Sequence, residues 1–479
     1  MTVQPLLPLS LVRHSGTPLV AQVANRVREL VSTGVLRPGV RVPSIRALAA
    51  DVGLARGVVE SAYDQLIAEG WLTARRGSGT YVAEVGHLPA AAAAVAIATA
   101  TSATAAASGA ENRPPAPSGS ARPSLVQFDT GTPWTDPRHD AGWRRAWREV
   151  SAAQIPPGYP DPAGIPKLRA ELAGYVARTR GLSCSASEVL VTGGTTHSFA
   201  LVLDVLGSGT VAIEDPGYRA AVAVAEQTGR TVVDVPIDDE GIDVRELRSS
   251  PAGVRAVYVT PAHQHPLGIT MSAGRRIALL AEAKRLDALI VEDDYDSEFR
   301  YDVAPLPALA ALDRDRVIYL GSASKAVHPG LRIGWLVAPP DLVSAIVERR
   351  AARHDHPPWP VQRAFLTMLR EGHVDRLVRS ARRVYAQRSE IMVRALSPYG
   401  SIGAPAAGMY VTLQLPGPTA EAVRDECRRA GFDLPLLASY SRSSGLTGLV
   451  IGFGGVTDDQ LSAMMDVLTA ALSRVDHRN

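Results

Sequence analysis

Apolar positions recur with a helical period through residues 12–83. Leu19, Val23, Val27, Leu30 and Val31 fall on one face, which predicts a first helix. Leu36-Arg37-Pro38-Gly39 breaks it with a turn. A short helix is expected at 44–51. A longer one is expected at 55–69, where Val59, Ala62, Tyr63 and Leu66 keep an inward spacing. Trp71-Leu72-Thr73 and Thr80-Tyr81-Val82 read as short strands around Arg75-Arg76-Gly77-Ser78-Gly79. Three helices closed by a hairpin predict a winged helix-turn-helix.

The pattern then disappears. Residues 86–125 are almost entirely Ala, Ser, Thr, Pro and Gly. They offer little bulky apolar surface to offset ordering entropy, so a flexible linker is expected. From 126 to 479 apolar runs alternate with helical segments. The runs at 189–191, 211–213, 232–235, 256–259, 288–291, 317–320 and 333–337 predict strands, with helices at 195–206, 218–227 and 273–286 between them. That alternation predicts a mainly parallel sheet with helices on both faces, and ligands at the carboxyl ends of its strands. The stretch from about 345 onward mixes helices with strands at 409–413 and 449–451, as in a smaller α+β subdomain. The fold class is therefore multidomain α/β.

Composition adds limits. At 479 residues the chain is too long for one core. No segment has the character of a membrane span, and the start of the chain lacks the pattern of a secretion signal. Two cysteines, Cys184 and Cys427, make no disulfide framework, and a cytoplasmic location is expected. The formal net charge is only +2. Residues 1–85 carry nine arginines against six acids and no lysine.

The candidate chemistry lies in the second half. Only Lys167, Lys284 and Lys325 occur as lysines. Lys325 sits in Gly321-Ser322-Ala323-Ser324-Lys325, at the end of an apolar run, and 32 residues beyond Asp293. A strand-end carboxylate, a lysine flanked by hydroxyls and a later Arg332 are the parts needed to hold pyridoxal phosphate (PLP). The amine forms an imine, the carboxylate keeps the ring nitrogen protonated, and hydroxyls and guanidinium take the phosphate. Spacing alone leaves Asp294 and Asp296 open as alternatives to Asp293. Gly193-Gly194-Thr195, between a strand and a helix, offers free N–H groups to an anion. His263 and His265 have no evident third partner, so no metal site is expected.

The run 34–49 and the segment Tyr63-Asp64-Gln65-Leu66-Ile67-Ala68-Glu69-Gly70-Trp71-Leu72 make residues 12–83 resemble the GntR family of bacterial repressors. The resemblance implies binding to a double-stranded DNA operator. Ser44 caps the second helix toward a backbone phosphate. Arg41, Arg46 and Arg56 are candidates for phosphate or base contacts. Arg75, Arg76, Gly77 and Gly79 form a wing for the minor groove. Ala55-Arg56-Gly57 stands where the family usually has a more hydroxyl-rich start to its recognition helix. Two copies on paired half-sites are expected for specific affinity.

Residues 126–479 resemble fold-type I aminotransferases. Joined to such a head, the chain is similar to the MocR/GabR group of regulators, most specifically through 258–268, 292–301 and 321–334. The resemblance implies Lys325 as the imine lysine, Asp293 on the pyridine nitrogen and Tyr295 on the ring hydroxyl. It implies Tyr218 stacked on the ring, and Gly194, Thr195, Ser322, Ser324 and Arg332 around the phosphate. It also implies a homodimer. His265 stands where aminotransferases carry an asparagine, and this imidazole could titrate near neutral pH. Val450 stands where they carry the arginine that grips a substrate carboxylate, with Arg442 as a possible substitute from the preceding loop. Loss of that fork removes a bidentate anchor. The expected function is a regulator that senses PLP, or PLP with a small amine or amino acid, and the missing arginine favours PLP alone, as in PdxR-type regulators of vitamin B6 synthesis. A working aminotransferase fused to a DNA-binding head is the alternative.

Overall fold

The computed structural model describes residues 7, 9, 11–12, 18–75, 78–85, 125–136, 140–251, 253–301, 306–403 and 407–476. The expected linker, apart from Leu125, lies outside them, as do Arg76 and Gly77.

The head consists of α1 (Leu19–Ser32), α2 (Ile45–Asp51), α3 (Arg56–Ala68) and the antiparallel hairpin β1 (Leu72–Arg75) and β2 (Gly79–Val82). The inward face read from the sequence is the buried one: Val23, Val27, Leu30, Val59, Ala62, Tyr63 and Leu66 are fully or almost fully covered. Burying each of the valines and leucines contributes about 1.5–3 kcal/mol. The Tyr63 hydroxyl donates to Pro43 O at 2.9 Å, fixing the chain that enters α2. Gly70 ends α3 at φ +78°, a conformation costly for other residues. The turn puts Trp71 into the core and starts the hairpin.

The body begins with β3 (Val126–Gln127), α4 (Asp140–Ala152) and α5 (Pro166–Arg180), then alternates through β4 (Val189–Thr192), α6 (Thr195–Val205), β5 (Thr210–Asp215), α7 (Arg219–Gln227) and β6 (Thr231–Asp238). It continues with β7 (Gly241–Ile242), α8 (Val244–Arg248), β8 (Val254–Val259), α9 (Ala273–Leu286), β9 (Leu289–Asp294), β10 (Val317–Ser322) and β11 (Gly334–Val337). These strands form one sheet in the order β4-β11-β10-β9-β8-β5-β6-β7. Neighbours from β10 to β6 run parallel, whereas β11 is antiparallel to both β10 and β4. β4, β5, β9 and β10 are buried along their whole length, which is why they read as apolar runs rather than alternations.

The remaining elements are α10 (Pro340–Ala352), α11 (Trp359–Arg370), α12 (His373–Leu396), β12 (Ser401–Ile402), β13 (Tyr410–Gln414), α13 (Gly417–Arg429), β14 (Phe432–Asp433), β15 (Gly448–Gly452) and α14 (Asp458–Asp476). A division at 345 does not match the packing. Leu342, Val343 and Ile346 of α10, and Phe365 and Leu366 of α11, join the cores of the large sheet. The smaller core gathers Tyr385, Met392, Val411, Leu413, Leu449 and Ile451, with Phe128 from the start of the body. There β3 pairs in parallel with β14. The head rests on α9, whose Ala273 and Ile277 share the head's apolar cluster, and Ala273 N donates to Glu69 O at 3.0 Å.

Candidate cofactor site and DNA-binding surface

The carboxyl ends of β4, β8, β9 and β10 converge on a cavity of about 290 Å³. Each strand delivers one part of its wall. Gly194, Thr195 and Thr196 follow β4, Thr260 and His265 follow β8, Asp293 lies in β9 with Tyr295 just past its end, and Ser322 ends β10 with Ser324 and Lys325 beyond it. Tyr218, Thr130, Gly131, Pro329 and Arg332 complete the lining. All ten residues that the sequence assigned to the cofactor therefore border one space.

Lys325 reaches this space from a half-buried position. Its Nζ donates to Gly131 O at 2.7 Å. Burial lowers its pKa, against the opposing pull of Asp296, Asp129 and Asp293, because removal from water penalises the ammonium form. The neutral, nucleophilic amine consequently forms at lower pH than in a free side chain. The rate of PLP capture by cofactor-free protein is expected to rise with pH and to level off below 10.5, the ordinary lysine value. Stopped-flow absorbance across pH checks this.

The three aspartates that spacing left open are separated by geometry. Asp294 pairs with buried Arg180 and accepts from the Tyr319 hydroxyl at 2.6 Å. Asp296 pairs with His263 at 2.8 Å. Asp293 borders the cavity; its Oδ2 accepts from the Tyr258 hydroxyl, and its buried Oδ1 has no partner. Burial raises its pKa to about 7, opposed by the Tyr258 hydrogen bond. An orphaned buried carboxylate oxygen is costly, and a pyridinium N–H is the kind of donor that satisfies it.

The phosphate end is equally specific. Gly194 caps α6 at φ +120°, and the first N–H groups of α6 have no helical partners. A Cβ placed on Gly334 would lie 2.7 Å from Gly194 Cα, so two glycines allow β11 and this turn to touch. The Ser322 hydroxyl donates to Ser324 Oγ at 2.8 Å and accepts from Ser324 N at 3.0 Å. Arg332, at φ +49°, supplies the cation. These groups fit a phosphate monoester, and the cavity as a whole fits PLP.

The Tyr295 hydroxyl borders the cavity with protein partners already in place. It donates to His263 O at 2.9 Å and meets the Tyr410 hydroxyl at 2.9 Å. His265 is fully enclosed, with Tyr218, Tyr295, Tyr410 and Tyr440 around its ring at 5.2–5.9 Å between centroids. Its Nδ1 has no partner, which makes it the free polar group at that wall. Burial, reinforced by Lys325 and His263, lowers its pKa to about 3. It therefore stays neutral at physiological pH rather than titrating there. Arg442 does not replace the missing carboxylate anchor. Its guanidinium lies 3.5 Å from both Glu226 and Asp234 in a neighbouring pocket, and Val450 is buried among Leu267, Tyr410 and Leu437. Among the described lining residues, Arg332 is the sole guanidinium.

Sequence reasoning missed Tyr258, Thr260 and the Asp129–Thr132 turn, whose Asp129 Oδ1 accepts from Gly131 N at 2.6 Å and Thr132 N at 2.9 Å. The Asp129-Thr130-Gly131-Thr132 signature of an Asx-type turn was legible, but nothing local tied it to a lysine 194 residues later.

On the head, Ser44 caps α2, accepting from Ala47 N at 3.2 Å. Arg46 and Arg56 are exposed on α2 and at the first position of α3. Arg75 is exposed and stacks over the Tyr81 ring at 4.6 Å. The Arg41 guanidinium lies so close to Gly79 that a Cβ there would be 2.7 Å from Nε.

Comparison with known proteins decides the family. Residues 19–82 match bacterial regulatory proteins of the gntR family, and residues 124–432 match aminotransferase class I and II. The chain is a GntR-family regulator of the MocR/GabR type. It is 33% identical to the HTH-type pyridoxine biosynthesis transcriptional regulator PdxR of Corynebacterium glutamicum, over 98% of this chain and 99% of that protein. It is 31% identical to the probable rhizopine catabolism regulatory protein MocR of Rhizobium meliloti, over 97% and 95%. An archaeal alanine:glyoxylate aminotransferase shares the body's fold, with TM-score 0.67, 28% identity and coverage of 73% of this chain and 91% of that one. The regulator thus carries a PLP-binding body of the aminotransferase fold.

Proposed function

We propose that this regulator uses PLP itself as its signal, bound through Lys325, and acts as a cytoplasmic homodimer on paired half-sites of double-stranded DNA. The observation that carries the reading is the content of the cavity wall. It offers one amine, one orphan carboxylate and one phosphate-binding guanidinium, and no second guanidinium among the described lining residues to grip an amino acid's carboxylate. Bound PLP supplies an electrophilic aldehyde and an electron-withdrawing ring. Lys325 provides the attacking amine, Asp293 the acceptor for the ring N–H, and Arg332 with Thr195, Ser322 and Ser324 the phosphate contacts. Tyr218 and His265 shape the ring's faces and edge. The likeness to a protein named as a pyridoxine biosynthesis transcriptional regulator supports PLP as the signal.

A ligand shifts a regulator only through different affinities for two of its arrangements. The test uses a duplex that the protein selects from a random library, in parallel with and without PLP. PLP is expected to change affinity for the selected duplex about tenfold or more, a coupling of at least ~1.4 kcal/mol. Added amino acids are expected to change it no further and to yield no sustained pyridoxamine phosphate. Unchanged affinity with PLP demonstrably attached to Lys325 refutes the reading. Repeated turnover with an amino acid and a keto acid would establish the aminotransferase alternative.

A further inference from the structure

One guanidinium joins the cavity wall to the seat of the head. Arg276, on the first turn of α9, is buried at 6% exposure. Its Nε donates to Met271 O at 3.1 Å, its Nη2 to Pro261 O at 3.2 Å and its Nη1 to Pro307 O at 3.1 Å. Pro261 and Met271 are the two ends of the loop that carries His263, Gln264 and His265, and Met271 N also donates to Pro261 O at 2.9 Å. Arg276 therefore ties the neck of the loop whose far side borders the cavity. Pro307 opens a second route: the next residue, Ala308, donates from N to Arg180 O at 2.9 Å, and Arg180 holds Asp294 beside Asp293.

The other side of Arg276 faces the head. A small crevice is lined jointly by Arg276, Pro307 and Ala308 from the body and by Arg28, Glu69 and Trp71 from the head. Arg28 grips Glu69 with two bonds of 2.6 Å, both side chains buried. The Glu69 carbonyl accepts from Ala273 N, at the start of the same helix that bears Arg276. The path from cavity to head is thus His265, the loop neck, Arg276, and the end of α3. Contiguous packed and hydrogen-bonded side chains are the kind of network through which two sites can be coupled.

We propose that Arg276 is the positioning residue through which filling of the cavity alters the seating of the DNA-binding head on α9. The proposal rests on PLP occupying that cavity. A lysine at this position keeps the charge but loses the fork that holds three carbonyls at once, and a methionine removes both.

The experiment is hydrogen exchange on the full chain, wild type against Arg276→Lys and Arg276→Met, with and without PLP, following peptides from α1, α3 and the 261–271 loop. Absorbance near about 420 nm reports PLP attachment in each sample. In wild type, PLP is expected to change protection of the α3 end by about fivefold or more. Arg276→Lys is expected to cut that PLP-dependent change by more than half, and Arg276→Met to abolish it, while both still attach PLP. If Arg276→Met does not fold, Arg276→Lys decides. A seam that is uniformly looser in the variants yet responds to PLP as in wild type makes Arg276 merely structural and overturns the proposal. Absence of attachment in wild type instead condemns the reading of PLP as signal, so the two failures are distinct.

Discussion

Lys325→Ala is expected to eliminate the covalent attachment of PLP. After borohydride reduction, peptide mass spectrometry should find the pyridoxyl group on Lys325 in wild type and on no residue in the variant, and the absorbance near about 420 nm should vanish. The phosphate and ring contacts remain, so residual PLP should be held on the order of a hundredfold more weakly, about 2.8 kcal/mol. The argument is one of supply. The other two lysines lie on helices away from the cavity, Lys167 in α5 and Lys284 in α9, and neither borders it. An adduct on either of them in wild type, with Lys325 unmodified, would contradict the site. The protein should remain folded, because Lys325 makes its one hydrogen bond, to Gly131 O, from the edge of the cavity.

The largest expected effect on stability comes from Arg180→Met. Arg180 is almost completely buried and serves two buried carboxylates, Asp294 and, at 2.7 Å, Glu298. Tyr319 and Tyr175 donate to the same carboxylates at 2.6 and 3.0 Å. Removing the cation leaves both acids enclosed without a counter-charge, which costs roughly 3–5 kcal/mol, or a fall in Tm on the order of 10 °C. The pH dependence has a definite sign. Burial pushes the Asp294 carboxyl up, but Arg180 outweighs it and holds the pKa below the ordinary value. In wild type that group therefore contributes stability above its unfolded pKa and loses it as pH falls through the folded one. In the variant burial acts unopposed, the folded pKa rises, and the acids can protonate. The gap between wild type and Arg180→Met should accordingly be widest near about pH 7 and narrow toward about pH 5. Thermal unfolding at the two pH values measures it. A constant gap would mean that shape, not charge, is what Arg180 supplies.

Much of this architecture was legible because its signals are local. Unbroken apolar runs marked the buried strands, and the helical spacing of Val59, Ala62, Tyr63 and Leu66 marked α3. Lys325 stood out because lysine is scarce here and this one follows a strand. What escaped depended on contacts between distant segments. Nothing local says that Asp294 turns toward Arg180 while Asp293 faces the cavity: neighbours on a strand point to opposite faces, and only the distant segment that brings Arg180 shows which face is which. The partners of the Tyr295 hydroxyl were hidden for the same reason: Tyr410 comes from the smaller subdomain. The boundary near 345 failed because α10 and α11 look like any amphipathic helices, and only packing shows which core they serve.

The head draws all its side-chain cations from arginine. Guanidinium groups keep their charge at any physiological pH and are not targets of the acyl transfer that neutralises lysine amines. Metabolic swings in acetyl donors therefore have no lysine in residues 1–85 through which to loosen its grip on phosphate.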